Sequence, residues 1–233
     1  MRDILAAAAS LLIATSAATS AHAEPVTIVI DDFSTAQTVK DTKVGGAQSS
    51  TVSYSIGGNA FTRTLIVDQK ENRFGGTSLA QIGDPDPTDD LDVSVFSLSN
   101  SSGVNSQIEL VYNIDALLND FSGGSKLSLS VLFADAASGQ PFTIEGFLNG
   151  AAVGSQTFTG PGHLDFALAA LNESGGNELR LVFTGGTSFD ATLDDIIILA
   201  QGSGGGLPVP EPGAIGLLGL GLAGVALRRR KTA

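Results

Sequence analysis

Along most of the chain, apolar and polar positions alternate with a period of two, as expected for strands that bury one face. The clearest run sets Leu127, Leu129, Val131 and Phe133 against Ser128, Ser130 and Leu132, and predicts a strand with the first four side chains inward. The same pattern predicts strands over 26–30, 51–56, 62–67, 91–98, 107–112, 142–148, 153–158, 163–168, 178–183 and 191–199. Asn149-Gly150 accepts the positive φ of a tight hairpin turn, so 142–148 and 153–158 form a hairpin. Gly185-Gly186, between two apolar runs, predicts a second hairpin. A turn or two of helix around 115–119 is the one helical stretch expected here. Ten to eleven short strands with glycine-rich turns predict an all-β fold, an antiparallel β-sandwich of jelly-roll type.

The alternation stops at both ends. Met1-Arg2-Asp3, the apolar run 4–14 and Ala21-His22-Ala23 have the three parts of a helical secretory signal peptide, 1–23. Signal peptidase is expected to cut after Ala23, with Ala21 and Ala23 as the small residues it requires. The domain then runs over 24–200, and Gly204 to Gly206 lie in a linker, 201–208. Beyond it come Val209-Pro210-Glu211-Pro212, the uncharged stretch 213–227, and Arg228, Arg229, Arg230 and Lys231. Fifteen helical residues span roughly 22 Å, short of the ~30 Å hydrocarbon core, but snorkelling arginines and bilayer thinning allow a short transmembrane helix. The basic cluster belongs on the cytoplasmic side, which leaves the domain outside. The two prolines keep Glu211 extended and out of the helix.

With proline-glutamate-proline motif, short apolar helix and basic end in order, the segment 209–233 resembles the PEP-CTERM sorting signals of Gram-negative bacteria. In that family an exosortase, an integral membrane protease-transpeptidase, processes the tail. The resemblance implies export through the inner membrane and transient anchoring there. Release or transfer to the cell surface or an exopolysaccharide matrix follows.

Charge sharpens this picture. Residues 24–209 carry seven basic and 22 acidic side chains, a net −15 against −12 for the whole chain, which repels nucleic acid. Cysteine is absent, which excludes disulfides, thiol catalysis and cysteine-ligated metals. After signal removal His163 is the one remaining histidine, and no G-x-S-x-G or H-E-x-x-H stands in the sequence, so no enzyme is expected. His163 follows Pro161-Gly162 and reads as an exposed residue at a strand edge. The glycine pairs are turns, since none is followed by the Lys-Ser/Thr of a phosphate loop.

Carboxylates supply the remaining chemistry. Residues 83–92 hold five aspartates, among them Asp84, Asp86 and Asp89; the segment is either a solvated acidic loop or a source of hard oxygen ligands for calcium. Ile30-Asp31-Asp32-Phe33 and Leu193-Asp194-Asp195-Ile196 resemble the first and last strands of galactose-binding-like jelly rolls. That resemblance implies that the two strands lie side by side. Neighbouring strand residues point to opposite faces, so one aspartate of each pair, Asp32 and Asp195, would meet, and a structural calcium would offset their repulsion. Many modules of this fold bind carbohydrate on aromatic faces. This chain has no tryptophan and two tyrosines, Tyr54 and Tyr112. Two functions are therefore expected: a structural or adhesive matrix component, or a carbohydrate-binding module that holds exopolysaccharide.

Overall fold

A computed structural model describes residues 26–84, 93–118, 124–135, 141–172 and 174–200. Thirteen strands occupy them: β1 (Val26–Asp31), β2 (Gln37–Asp41), β3 (Gln48–Ile56), β4 (Asn59–Asn72), β5 (Ser78–Gly83), β6 (Val95–Asn100), β7 (Val104–Asn113), β8 (Lys126–Asp135), β9 (Phe142–Leu148), β10 (Ala151–Phe158), β11 (Gly162–Ala167), β12 (Glu178–Thr184) and β13 (Asp190–Ala200). The first sheet has the order β11-β8-β13-β6-β5-β2, with β1 also on β13; the second runs β10-β9-β12-β7-β4-β3. Neighbours are antiparallel throughout.

The predicted antiparallel sandwich is present, and each predicted strand overlaps an observed one. Asn149 and Gly150 turn the β9–β10 hairpin with φ of 52° and 78°, and Gly57 and Gly58 do the same between β3 and β4. Within the described part of 115–119 there is one 3-10 turn, Asp115–Leu117.

Three expectations are corrected. Gly185-Gly186 does not turn a hairpin, because β12 lies between β7 and β9 in the second sheet and β13 lies in the first. The link crosses the sandwich, and Phe189 packs so closely on Gly185 that a Cβ there would stand 2.5 Å from its ring. In β8, Thr192 of β13 pairs with Phe133 but Leu193 pairs with Val131, so Leu132 is bulged out. The bulge reverses the phase: Phe133 turns outward at 48% exposure and Ala134 turns in. The third correction concerns the β13 aspartates and is taken up below.

Side chains from the two inner faces fill the core. Leu65, Leu110 and Leu181 stand in one row across β4, β7 and β12, all fully buried. Gly146 and Gly154 extend that row and are paired with each other. Their missing side chains form a socket for Phe166 of the opposite sheet, whose ring would stand 2.7 and 2.3 Å from a Cβ at either position. Phe96, Phe183, Phe142 and Phe189 form a chain of ring contacts with centroids 5.3 to 6.2 Å apart. The proposed signal 1–23, linker 201–208, tail 209–233, and Asp86 and Asp89 lie outside the described residues. Among the described residues no helix is long and apolar enough to cross a membrane.

Candidate functional site

At the end of β1 the chain divides two adjacent aspartates between interior and solvent. Asp31 is fully buried. Its Oδ1 accepts the Phe33 amide at 2.9 Å; its Oδ2 accepts Arg63 Nη1 at 2.5 Å and Tyr112 Oη at 2.9 Å. Arg63 is equally buried and donates Nε to Gln37 Oε1 at 2.8 Å and Nη2 to the Thr35 carbonyl at 2.6 Å. Gln37 in turn donates to the Ser50 carbonyl, and Tyr54 Oη to the Ile30 carbonyl. Burial pushes the Asp31 carboxyl up from its ordinary value, and the Arg63 charge and hydrogen bonds pull against that rise. Burial, with Asp31 alongside, raises both tyrosines and keeps them protonated donors. Of the two tyrosines, Tyr112 is spent inside with no exposed surface, while Tyr54 is half-buried, with the Arg63 guanidinium 5.4 Å from its centroid.

The signal for this network was present in the alternation. Phe61, Arg63, Leu65 and Val67 share one face, so the pattern itself puts an arginine inside, and a buried arginine requires a carboxylate partner.

Asp32 points out to solvent, where its Oδ1 accepts the Ser34 amide at 3.0 Å and hydroxyl at 2.7 Å. Beside it, β1 and β13 pair as the sequence implied, from Val26↔Ala200 to Asp31↔Ile196. The expected split of Asp194 and Asp195 between faces fails. An extra β13 residue between Leu193↔Val131 and Ile196↔Leu129 bulges the strand, and both aspartates stay half-buried while their neighbours Leu193 and Ile196 point in. Burial, then Asp194, then Asp32 raise the Asp195 carboxyl.

One Asp32 oxygen is engaged by Ser34, and among the described residues no group of three acidic or histidine side chains is placed to hold an ion. Calcium takes six to eight oxygens. Asp84 follows β5, outside any such group.

On the outer face of the first sheet, His163 lies on edge strand β11, as expected, and meets Ser128 and Asp165. This resembles a catalytic triad in composition and not in geometry. Ser128 Oγ lies 2.8 Å from His163 Nε2, yet Asp165 Oδ1 stands 3.1 Å from that same nitrogen, and Ser128 Oγ donates to Asp165 at 2.8 Å. Nδ1, which a relay would turn to the carboxylate, faces Ser130 Oγ at 3.2 Å. Asp165 thus shares the nitrogen that meets Ser128, and does not orient the ring from its far side as a relay carboxylate would. Hydrogen bonds, first from Ser128, hold the Asp165 carboxyl below its ordinary value.

The outer face of the second sheet carries a polar row. Arg180 stacks 4.3 Å over Phe147 and reaches Glu109 at 3.3 Å. Next to it a shallow cleft of about 260 Å³ is lined by Thr62, Thr64, Val111, Asn113, Asn177 and Glu178.

The described residues thus define an all-β, two-sheet antiparallel sandwich whose polar clusters are mostly closed upon themselves. Its tail adds a second identity: residues 208–231 match the family described as the PEP-CTERM protein-sorting motif. No curated protein matches the chain. Among solved structures it is similar to TmCBM61 in complex with β-1,4-galactotriose, at 8% identity over 58% of this chain and 88% of that one, TM-score 0.35. It is also similar to a family 11 carbohydrate-binding module from Clostridium thermocellum with a mixed-linked tetrasaccharide, at 15% identity over 76% and 97%, TM-score 0.33. A third, the carbohydrate-binding module CBM36 with calcium and xylotriose, is 14% identical over 69% and 97%, TM-score 0.27.

Proposed function

We propose that the protein is exported through the inner membrane of a Gram-negative bacterium, freed of its signal by signal peptidase, held briefly by its tail, and processed there by an exosortase. The sandwich then serves as a non-catalytic structural or adhesive component at the cell surface or in the extracellular matrix. The sorting motif at 208–231 carries this reading. In the processing step one peptide bond near the motif breaks. Its carbonyl carbon is taken by water or by an acceptor hydroxyl or amine, and the leaving apolar peptide keeps the amino group and gains a proton. Replacing Pro210, Glu211 and Pro212 by alanine removes the extended recognition site, so full-length protein should stay in the membrane. Release of that variant at the normal rate would refute the reading.

A second reading is that the sandwich holds exopolysaccharide directly. The outer cleft favours it, because hydroxyl, amide and carboxylate groups from Thr62, Thr64, Asn113 and Glu178 suit sugar hydroxyls. A glycan array probed with residues 24–203 separates the two. Binding lost in Asn113→Ala supports the second, and no binding with or without calcium supports the first.

A further inference from the structure

Two turns of the sandwich share a four-residue pattern. Lys43-Val44-Gly45-Gly46 lies between β2 and β3, and Arg73-Phe74-Gly75-Gly76 lies between β4 and β5. In each, a cation and an apolar residue precede a glycine of positive φ, 93° at Gly45 and 73° at Gly75. Both apolar side chains stand in solvent. Phe74 is 76% exposed, more than any other large apolar residue described, and Val44 is 55% exposed.

A polar network ties the two turns together. Asp41 accepts the Lys43 amide at 3.0 Å with one oxygen and the Gln69 amide at 2.9 Å with the other. Its carbonyl accepts Gln69 Nε2 at 2.8 Å, and both side chains are buried. Asn72 Nδ2 donates to the Gly76 carbonyl at 2.9 Å and to the Thr42 carbonyl at 3.4 Å, while its Oδ1 accepts the Gly76 amide at 2.8 Å. The Arg73 amide donates to the Gly103 carbonyl at 3.1 Å, and a Cβ on Gly103 would stand 2.5 Å from the Phe74 ring. A single exposed phenylalanine carries no information, but two matched tips held in place by buried side chains do.

Charge sets this corner apart as well. Residues 40–46 and 68–76 hold Lys40, Lys43, Lys70 and Arg73 against Asp41, Asp68 and Glu71, a net +1 where residues 24–209 carry −15. Lys70 pairs with Asp68 and Arg73 with Glu71, whereas Lys43 has no ion pair among the described residues. Asp115 and Glu178 lie at the far ends of β7 and β12 from these turns. Apolar residues flanked by cations suit the boundary of a bilayer, where the first enter the acyl region and the second meet headgroup phosphates. A polymer of acidic sugars would engage the cations and leave the apolar tips in water.

We propose that this corner docks on the surface of an anionic lipid bilayer, with Phe74 and Val44 entering the acyl boundary and Lys43 and Arg73 meeting the phosphates. The docking concerns the sandwich alone and does not depend on the sorting reading. Residues 24–203 form one compact unit that holds every strand described, so this unit carries the fold by itself. Its partition is measured by sedimentation with vesicles of phosphatidylcholine containing roughly 30% phosphatidylglycerol, which imitate an anionic leaflet, and with phosphatidylcholine alone.

Binding should favour the anionic vesicles and weaken at about 0.5 M salt, where the screening length falls to about 4 Å. Phe74→Ser should lower the partition roughly tenfold, and Lys43→Gln or Arg73→Gln roughly fivefold each. Phe74→Leu should keep most of it. The chain has no tryptophan, so Phe74→Trp places a single indole at the tip, and its emission should shift to the blue on anionic vesicles. The emission of Ser53→Trp, exposed on the second sheet, should stay unchanged. A wild-type unit that ignores anionic vesicles, full binding by the double variant Val44→Ser, Phe74→Ser, or an unshifted Phe74→Trp emission overturns the proposal. Two other occupants would overturn it too. A soluble polyuronate that displaces the vesicles and binds wild type and Phe74→Ser equally assigns the corner to an acidic polymer. A concentration-dependent dimer that is lost in Phe74→Ser assigns it to a second copy of the chain.

Discussion

Arg63→Met is the perturbation most diagnostic of the fold. Methionine matches much of the arginine stem but leaves Asp31 as a fully buried carboxylate with no counter-charge, and it strips Gln37 Oε1 and the Thr35 carbonyl of their donor. Breaking a buried pair by removing one partner costs about 3–5 kcal/mol. For a domain of this size each kcal/mol moves the midpoint by roughly 2–4 °C, so Tm should fall by roughly 6–20 °C. Asp31→Asn orphans the guanidinium instead and should cost a similar amount. Once one partner is gone the other has less to lose, so the double variant should be at least 1 kcal/mol more stable than the sum of the single effects predicts. The chain has no tryptophan, so urea unfolding of residues 24–203 is followed by far-ultraviolet circular dichroism. A loss below 1 kcal/mol for Arg63→Met, or strict additivity in the cycle, would show that the pair does not hold these strands.

Three further outcomes follow from the packing. Asp195 has a raised carboxyl, so its ionised form costs stability at neutral pH, and that cost disappears as pH falls through the folded and then the ordinary carboxylate range. Asp195→Asn should therefore raise the melting midpoint at pH 7 by a modest amount and leave it unchanged near pH 3; an equal shift at both would exclude the charge. A structural calcium between Asp32 and Asp195 requires greater stability in 5 mM calcium than in chelator, by roughly 1.1–2.3 kcal/mol for dissociation constants of ~10⁻³–10⁻⁴ M, and no such gain in Asp32→Asn, Asp195→Asn. Identical midpoints in calcium and chelator rule that ion out. Gly154→Val should lower stability by about 1–3 kcal/mol although valine is the better strand former, because its side chain enters the Phe166 socket; a neutral or stabilising result would mean the ring can move aside.

Most of the sandwich was legible because apolar side chains alternate along its long strands. β2 and β5 were not, and the reason is chemical. Their burial alternates just as regularly, but the inward positions of β2 are Gln37, Val39 and Asp41, and those of β5 begin with Ser78 and Ala80. Gln37 is inside because Arg63 is, and Asp41 because Gln69 donates to it through both its backbone amide and its side chain. Such polar residues are buried only by partners distant in sequence, which local periodicity cannot supply. Bulges were hidden for a related reason: the extra residue at Leu132 and the one at Asp194-Asp195 are properties of pairing, and pairing is not local. Pairing of β1 with β13 was anticipated from two short look-alike segments. The closed circuit of Ser128, His163 and Asp165 was not, since it depends on β11 lying beside β8.

The pairing of β1 with the far end of the chain also sets a hazard. Val26 to Ile30 is an uncharged β-forming pentapeptide in the first strand, and its partner is the last strand of the sandwich. Until Ile196 to Ala200 arrive it is a naked template for intermolecular cross-β association, in a chain with no cysteine to trap a partial fold. The net charge of −15 over the exported residues then acts as colloidal protection, keeping waiting chains apart while the strand is unpaired.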